Sequence, residues 1–256
     1  MLDEEALIAA ARRFADGDLS AVADVGGWRA LDVDVQAKLR HLLRGMSAYE
    51  TPRPLGEENG DVLFDWLAVP TGDHDALLDE LRLTCAIPAP QQLGLSVWAR
   101  GGVYVTPRWD DWTVVCGYDL PYDSGDAMRS FLERLSRRFG AAHWYGADYG
   151  YAGWALAENG ELVRLYMYGD SPDQDEVFGE PHRAEVDATL MWYADIDDDK
   201  EDGRPRCGPA AVAAYGSVDP TAVGPHTRVE GHALIAVQDP ASVPPGVFPL
   251  GTGLGG

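Results

Sequence analysis

The chain has 256 residues, with 42 acidic side chains against 20 basic ones and a formal net charge of −22. A surface this anionic repels nucleic acid and anionic membranes at physiological salt and attracts cationic proteins or cations. At this length roughly 70–75 % of the unfolded chain's surface can be buried, so folding requires neither disulfides nor a metal.

The first 50 residues read as a helical segment. Asp3 can cap a helix with Ala6, Leu7, Ala10, Ala11 and Phe14 on one face, and Glu4 and Glu5 suit its N-terminal dipole. A second helix is expected from about Asp34, with Val35, Leu39, Leu42 and Leu43 inward, to a stop at Gly45. Residues 51–61 form a Pro- and Gly-containing connector. Alternation from Val62 to Ala68 predicts a strand, followed by a short helix from Asp73 or Asp75 to about Thr84. A hairpin is expected over Leu95–Thr106, turning at Gly101-Gly102, and a returning strand over Trp112–Tyr118 after the Trp109–Trp112 turn.

The strongest helical pattern follows. Ser124 or Asp126 caps it, Met128, Phe131, Leu132, Leu135 and Phe139 form its stripe, and Gly140 ends it. Ala142–Tyr145 resume strand character. Asn159-Gly160 then predicts a hairpin over Gly153–Tyr168. With Glu158 opposite Glu161, Leu156 should face Val163 and Trp154 should face Leu165, leaving Ala155 and Arg164 on the other side. Residues 169–183 read as acidic loop, 184–194 as strand or helix, and 195–203 as a charged loop. Cys207 opens a small-residue helix through Tyr215, Gly231–Val237 is a strand, and a Pro- and Gly-rich tail follows from Gln238.

These elements predict an α+β fold: a mostly antiparallel, twisted sheet with helices on one face and an N-terminal helical segment at an edge or side. Three segments are delimited, 1–50 helical, 51–200 the α+β core and 201–256 a C-terminal helix, strand and tail, together expected to form one domain. Three widely spaced cysteines, an acidic N-terminus and the absence of a long apolar run point to reduced thiols in the cytoplasm.

Motifs that carry chemistry are sparse. An EF-hand frame starting at Asp195 fits its first acidic positions. It places Lys200 where the loop needs Gly and Arg206 where it needs a bidentate Glu, so no calcium site is expected. Gly251–Gly256 matches G-x-G-x-x-G with no helix to follow it. The histidines have no zinc-ligand spacing, and neither a metal nor a cofactor is expected. The run Cys207-Gly-Pro-Ala-Ala211 resembles the nucleophile segment of papain-like leader peptidases, with His226 or His232 as base and Asp239-Pro240 beyond. That resemblance implies a cysteine hydrolase as the alternative function, although only 49 residues follow the thiol.

Aromatic side chains crowd the middle of the chain, where a sheet core accounts for most of them. Trp109 stands out because it lies beside Asp110 and Asp111 in a turn, a setting suited to an Arg- or Lys-bearing partner. The expected partner surface combines Trp109, Asp110 and Asp111 with Asp195, Asp197, Asp198, Asp199, Glu201 and Asp202.

The segments Val103–Gly117, Leu135–Gly140 and Trp154–Arg164 resemble a group of uncharacterised bacterial proteins, many of them actinobacterial, over about residues 95–168. The resemblance implies a strand, helix, strand and hairpin order but no activity. By analogy, acidic α+β families of this style are similar to immunity proteins that block secreted toxins. The sequence therefore predicts a non-enzymatic, cytoplasmic binding module for a basic protein, with an assembly or housekeeping role as a further alternative.

Overall fold

The computed structural model describes residues 4–24, 27–28, 31–55, 65–118, 125–148, 151–168, 175–192 and 207–239. Its strands are β1 (Asp65–Val69), β2 (Thr84–Pro88), β3 (Val103–Trp109), β4 (Trp112–Cys116), β5 (Ala141–Asp148), β6 (Tyr151–Glu158), β7 (Glu161–Tyr168), β8 (Glu176–Phe178), β9 (Val229–Glu230) and β10 (Leu234–Val237). They form one antiparallel sheet in the order β2-β10-β3-β4-β1-β5-β6-β7-β8, with β9 paired to β3. The fold is α+β. β10, near the end of the described chain, lies inside the sheet between β2 and β3. The sheet ends at β2 on one side and at three-residue β8 on the other. Cys85 in β2 has φ 60°, and the β2–β10 ladder is irregular between Ile235 and Val237.

The helices are α1 (Glu4–Ala15), α2 (Ser20–Asp24), α3 (Val33–Ala48), α4 (His74–Glu80), α5 (Gln91–Trp98), α6 (Gly125–Phe139), α7 (Arg183–Trp192) and α8 (Pro209–Gly216). As the sequence pattern implies, α4 and α6 cover one sheet face. Leu77 and Leu78 of α4 join Met128, Phe131, Leu132 and Leu135 of α6 over Val69, Val105, Trp144 and Leu165. Side chains three and four apart share a helix face, so this stripe meets the sheet without strain. The N-terminal helices do more than pack at an edge. Leu7, Phe14, Leu39 and Leu43 share the core of the opposite face with Trp66, Tyr104, Tyr145 and Trp154, alongside side chains of α5 and α8. Among the described residues no helix is long and apolar enough to cross a membrane.

Two local expectations fail for tertiary reasons. The segment from Leu95 is helical: α5 runs from Gln91 to Trp98, and Leu93 and Val97 are buried four residues apart. Gly101-Gly102 closes that helix, the Gly102 N–H reaching the Val97 carbonyl at 3.0 Å, and β3 begins only at Val103. The hairpin instead joins β3 to β4 through Asp110-Asp111, whose φ values of 45° and 82° match a turn with both central residues left-handed. Helix α3 also passes through Gly45 to Ala48, because Ser47 is buried and its hydroxyl accepts the Ala233 N–H at 2.9 Å. Its N-cap is Asp32, whose carboxylate accepts the Val35 N–H.

The Asn159-Gly160 hairpin forms with Glu158 opposite Glu161, but its register then shifts between Leu156 and Ala157. Leu156 faces Arg164 and Trp154 faces Tyr166, instead of Val163 and Leu165. Val163 is the extra residue of this bulge, and it turns Arg164 onto the face of Trp154 and Leu156. There Arg164 makes a two-pronged contact with Glu185 of α7: Nε donates to Oε2 at 2.7 Å and Nη2 to Oε1 at 2.7 Å. Nη1 donates to the Gly179 carbonyl at 2.7 Å, and Trp154 Nε1 donates to Glu185 Oε2 at 3.1 Å. Gly179 is required at this point, since its φ is 76° and a Cβ would come within 2.2 Å of the Val163 carbonyl oxygen.

His143 on β5 is a further buried ionisable side chain of this region. Its ring lies 4.9 Å from that of Trp112, its Nδ1 is 3.3 Å from the Tyr145 hydroxyl, and its Nε2 has no hydrogen-bond partner. Burial, reinforced by nearby His182, pushes its pKa down to about 3.

Two outcomes follow. Glu185→Ala should destabilise the fold by about 3–5 kcal/mol in urea denaturation, because it strands a buried guanidinium, whereas the double change Arg164→Met, Glu185→Leu should cost much less. Equal losses in the two variants would contradict this account. The stability held by neutral His143 is complete above its ordinary pKa of 6.5 and is lost as pH falls toward about 3, since the unfolded state binds the proton first. In pH-dependent denaturation, His143→Gln should remove a slope approaching about 1.4 kcal/mol per pH unit from that window.

Candidate functional site

The sequence-predicted partner surface is only partly realised. Trp109 is 1 % exposed. As the last residue of β3, it is flanked by β4 and β9 and directed into the core, so its indole offers no contact to a partner. Asp110 and Asp111 are exposed but engaged: Asp110 accepts the Arg228 N–H at 2.9 Å, and Asp111 holds both Arg108, at 2.7 Å, and Arg228. Asp195, Asp197, Asp198, Asp199, Glu201 and Asp202 lie outside the described residues.

The residues of the hydrolase reading have the following surroundings. Cys207 is 3 % exposed, and its Sγ donates to the Glu185 carbonyl at 3.8 Å. His226 is exposed in the turn before β9, while His232 stands edge-on to His74 with ring centroids 6.3 Å apart. No group of three or more metal-ligating side chains occurs among the described residues.

A different site emerges at the rim of the sheet. Arg40, Arg44, His74 and His232 line a cleft of about 500 Å³, with Asp73 and Asp75 at its border and Leu78, Ala86, Pro88 and Leu234 as apolar wall. That volume lies within the range of small-ligand sites. Arg40 and Arg44 are four apart on α3 and therefore share a helix face. Arg40 is fixed from two sides: Nη1 donates to the Ala86 carbonyl at 3.0 Å, and the guanidinium lies 5.6 Å from the Trp28 ring centre. The Ser47–Ala233 hydrogen bond anchors the turn carrying His232 against the same helix.

His74 enters the cleft from the start of α4, where Asp73 caps the helix by accepting the Ala76 N–H at 3.0 Å. Its Nε2 is buried without a hydrogen-bond partner. Burial first, then the neighbouring His232, lowers the His74 pKa. Burial, followed by the field of Arg44, lowers that of His232. Both rings thus favour the neutral form near neutral pH, leaving the two guanidinium groups as the fixed positive charge.

These arginines differ from most others in the molecule. Arg13, Arg53, Arg108, Arg129, Arg134, Arg138, Arg164, Arg183 and Arg228 each hold a carboxylate. Arg40 and Arg44, like Arg12, Arg82, Arg100 and Arg137, form no ion pair among the described residues, and of these six only Arg40 and Arg44 line this cleft. A sequence signal for them exists: between Asp34 and Glu50 there is no acidic residue, while Lys38, Arg40 and Arg44 fall there. The distant contributions of His74 and His232 have no such signal, since only folding brings them to α3.

No family model, no curated protein and no solved structure matches this chain.

Arg44→Gln should raise the His232 midpoint in an NMR pH titration, because it removes the cation that disfavours ring protonation. An unmoved midpoint would mean that the guanidinium field does not reach the cleft.

Proposed function

We propose that this chain is a non-enzymatic binding protein whose cleft between α3, α4 and β10 seats an anionic group of its ligand. The observation that carries the reading is the pair Arg40 and Arg44, on one helix face and in no ion pair among the described residues, in a chain with 42 acidic and 20 basic side chains. In so acidic a molecule an arginine finds an acidic neighbour at little cost. Two adjacent exceptions, one already braced by a carbonyl and an indole, suit a carboxylate or phosphate oxygen supplied from outside. All three thiols are unbridged, which supports a reducing compartment and a cytoplasmic setting as part of the same proposal.

The charge favours a second reading, in which the acidic surface engages a cationic protein, as an immunity protein engages a basic toxin. The bacterial group resembled over residues 95–168 would then share that role. Burial of Trp109 takes the aromatic anchor from this surface and leaves its exposed carboxylates as the supporting feature.

Titration with inorganic phosphate, followed by NMR, should shift the His74 and His232 ring signals saturably in the native protein and should fail to do so in Arg40→Gln, Arg44→Gln. Equal shifts in both proteins would overturn the anion seat. For the second reading, a basic partner recovered from native cells should stay bound in about 0.3 M salt, where charges are screened beyond about 6 Å, and should bind Asp110→Lys more weakly. Release by that salt would remove it.

A further inference from the structure

The anion seat sits in an adverse field. With a net charge of −22, the whole molecule repels a free anion approaching any part of its surface, and two guanidinium groups at one rim offset this only locally. A ligand with no net charge escapes that penalty. The cleft itself carries the complementary half of such a ligand's chemistry. Asp75 lines it, is exposed and forms no ion pair among the described residues. Asp73 lines it as well, with Oδ1 accepting the Ala76 N–H. His74 lines the cleft beside them, with a ring that favours the neutral form. Apolar Leu78, Ala86, Pro88 and Leu234 supply the remaining wall.

Resting on the anion-seat reading, we propose that the cleft binds a small zwitterion of the amino-acid type, its carboxylate on Arg40 and Arg44 and its ammonium toward Asp75. The cleft lining carries groups of both charges, and its apolar residues suit the ligand's methylene groups. A simple carboxylate or phosphate satisfies only the arginines and leaves the Asp75 carboxylate unanswered. An amine without a carboxylate leaves the two guanidinium groups without a counter-charge. The ligand class follows from this pairing of charges, and its length from whichever member of a homologous series spans them.

The test is isothermal titration with glycine, β-alanine and γ-aminobutyrate, each beside acetate, propionate or butyrate of equal chain length. The best amino acid should bind about tenfold or more tightly than its amine-free partner, the worth of one charge-assisted hydrogen bond. Asp75→Asn, an exposed change that should leave the fold intact by circular dichroism, should erase that preference while retaining carboxylate binding. Arg44→Gln should weaken both members of each pair. Equal affinity for amino acid and matched carboxylate, with binding still dependent on Arg44, overturns the zwitterion assignment and leaves the anion seat standing. If neither carboxylates nor amino acids bind in an Arg44-dependent manner, and phosphate likewise fails to shift the cleft imidazoles, the anion seat falls and this assignment with it.

Discussion

A single extra residue in β7 decides how one end of this molecule is held together. By displacing the ladder at Val163, the bulge carries Arg164 from the face where simple alternation would put it to the opposite one, against Glu185 of α7. A guanidinium there is tolerable only with full compensation. The surroundings supply it: both carboxylate oxygens of Glu185, the Gly179 carbonyl and the π face of Tyr166, whose ring centre is 5.2 Å away. The requirement propagates outward. α7 must present Glu185, Gly179 must lack a side chain, and the Trp154 indole takes the remaining geometry of the carboxylate. Cys207 bonds the backbone of the same residue, so α8 is registered on this pair as well.

That dependence also marks the limit of what could be read from the primary structure. Elements whose logic is local were legible: the Met128–Leu135 stripe of α6, the Asn159-Gly160 turn and the Trp112 strand. The helix–sheet assignment of Leu95 was not, because its seven or so neighbours satisfy strand alternation and helical burial about equally well, and only the contact of α5 with the Tyr104 ring separates them. A Cβ on Gly94 would approach that ring to 2.1 Å, a closeness invisible before the two segments meet. The hairpin register failed by one residue for a similar reason. Nothing in Leu-Val-Arg announces that the arginine has a buried carboxylate waiting 21 residues downstream.

The site followed the same division. Trp109 was singled out because it adjoins two aspartates, and chain neighbours at a strand end point in different directions: the indole inward, the carboxylates outward. The acid-free stretch on α3 was visible and carries both arginines of the cleft, whereas His74 and His232 arrive from segments about 30 and 190 residues away in the chain, a distance no spacing rule spans. Global charge and local charge also part company here. The excess of carboxylates describes the average surface, while the cleft is defined by where that average is broken.

The margins of the sheet carry a further implication. At one border the terminal strand contains a left-handed cysteine and an irregular ladder; at the other it is only three residues long and bears Glu176. Neither border offers a straight, extended row of backbone donors and acceptors on which a neighbouring copy could continue the ladder. Val177 and Phe178, though 55 % and 38 % exposed, therefore sit on too brief a template to seed fibrous growth. Mutual Coulomb repulsion between copies of net charge −22 acts in the same sense, against edge-to-edge growth of the described sheet.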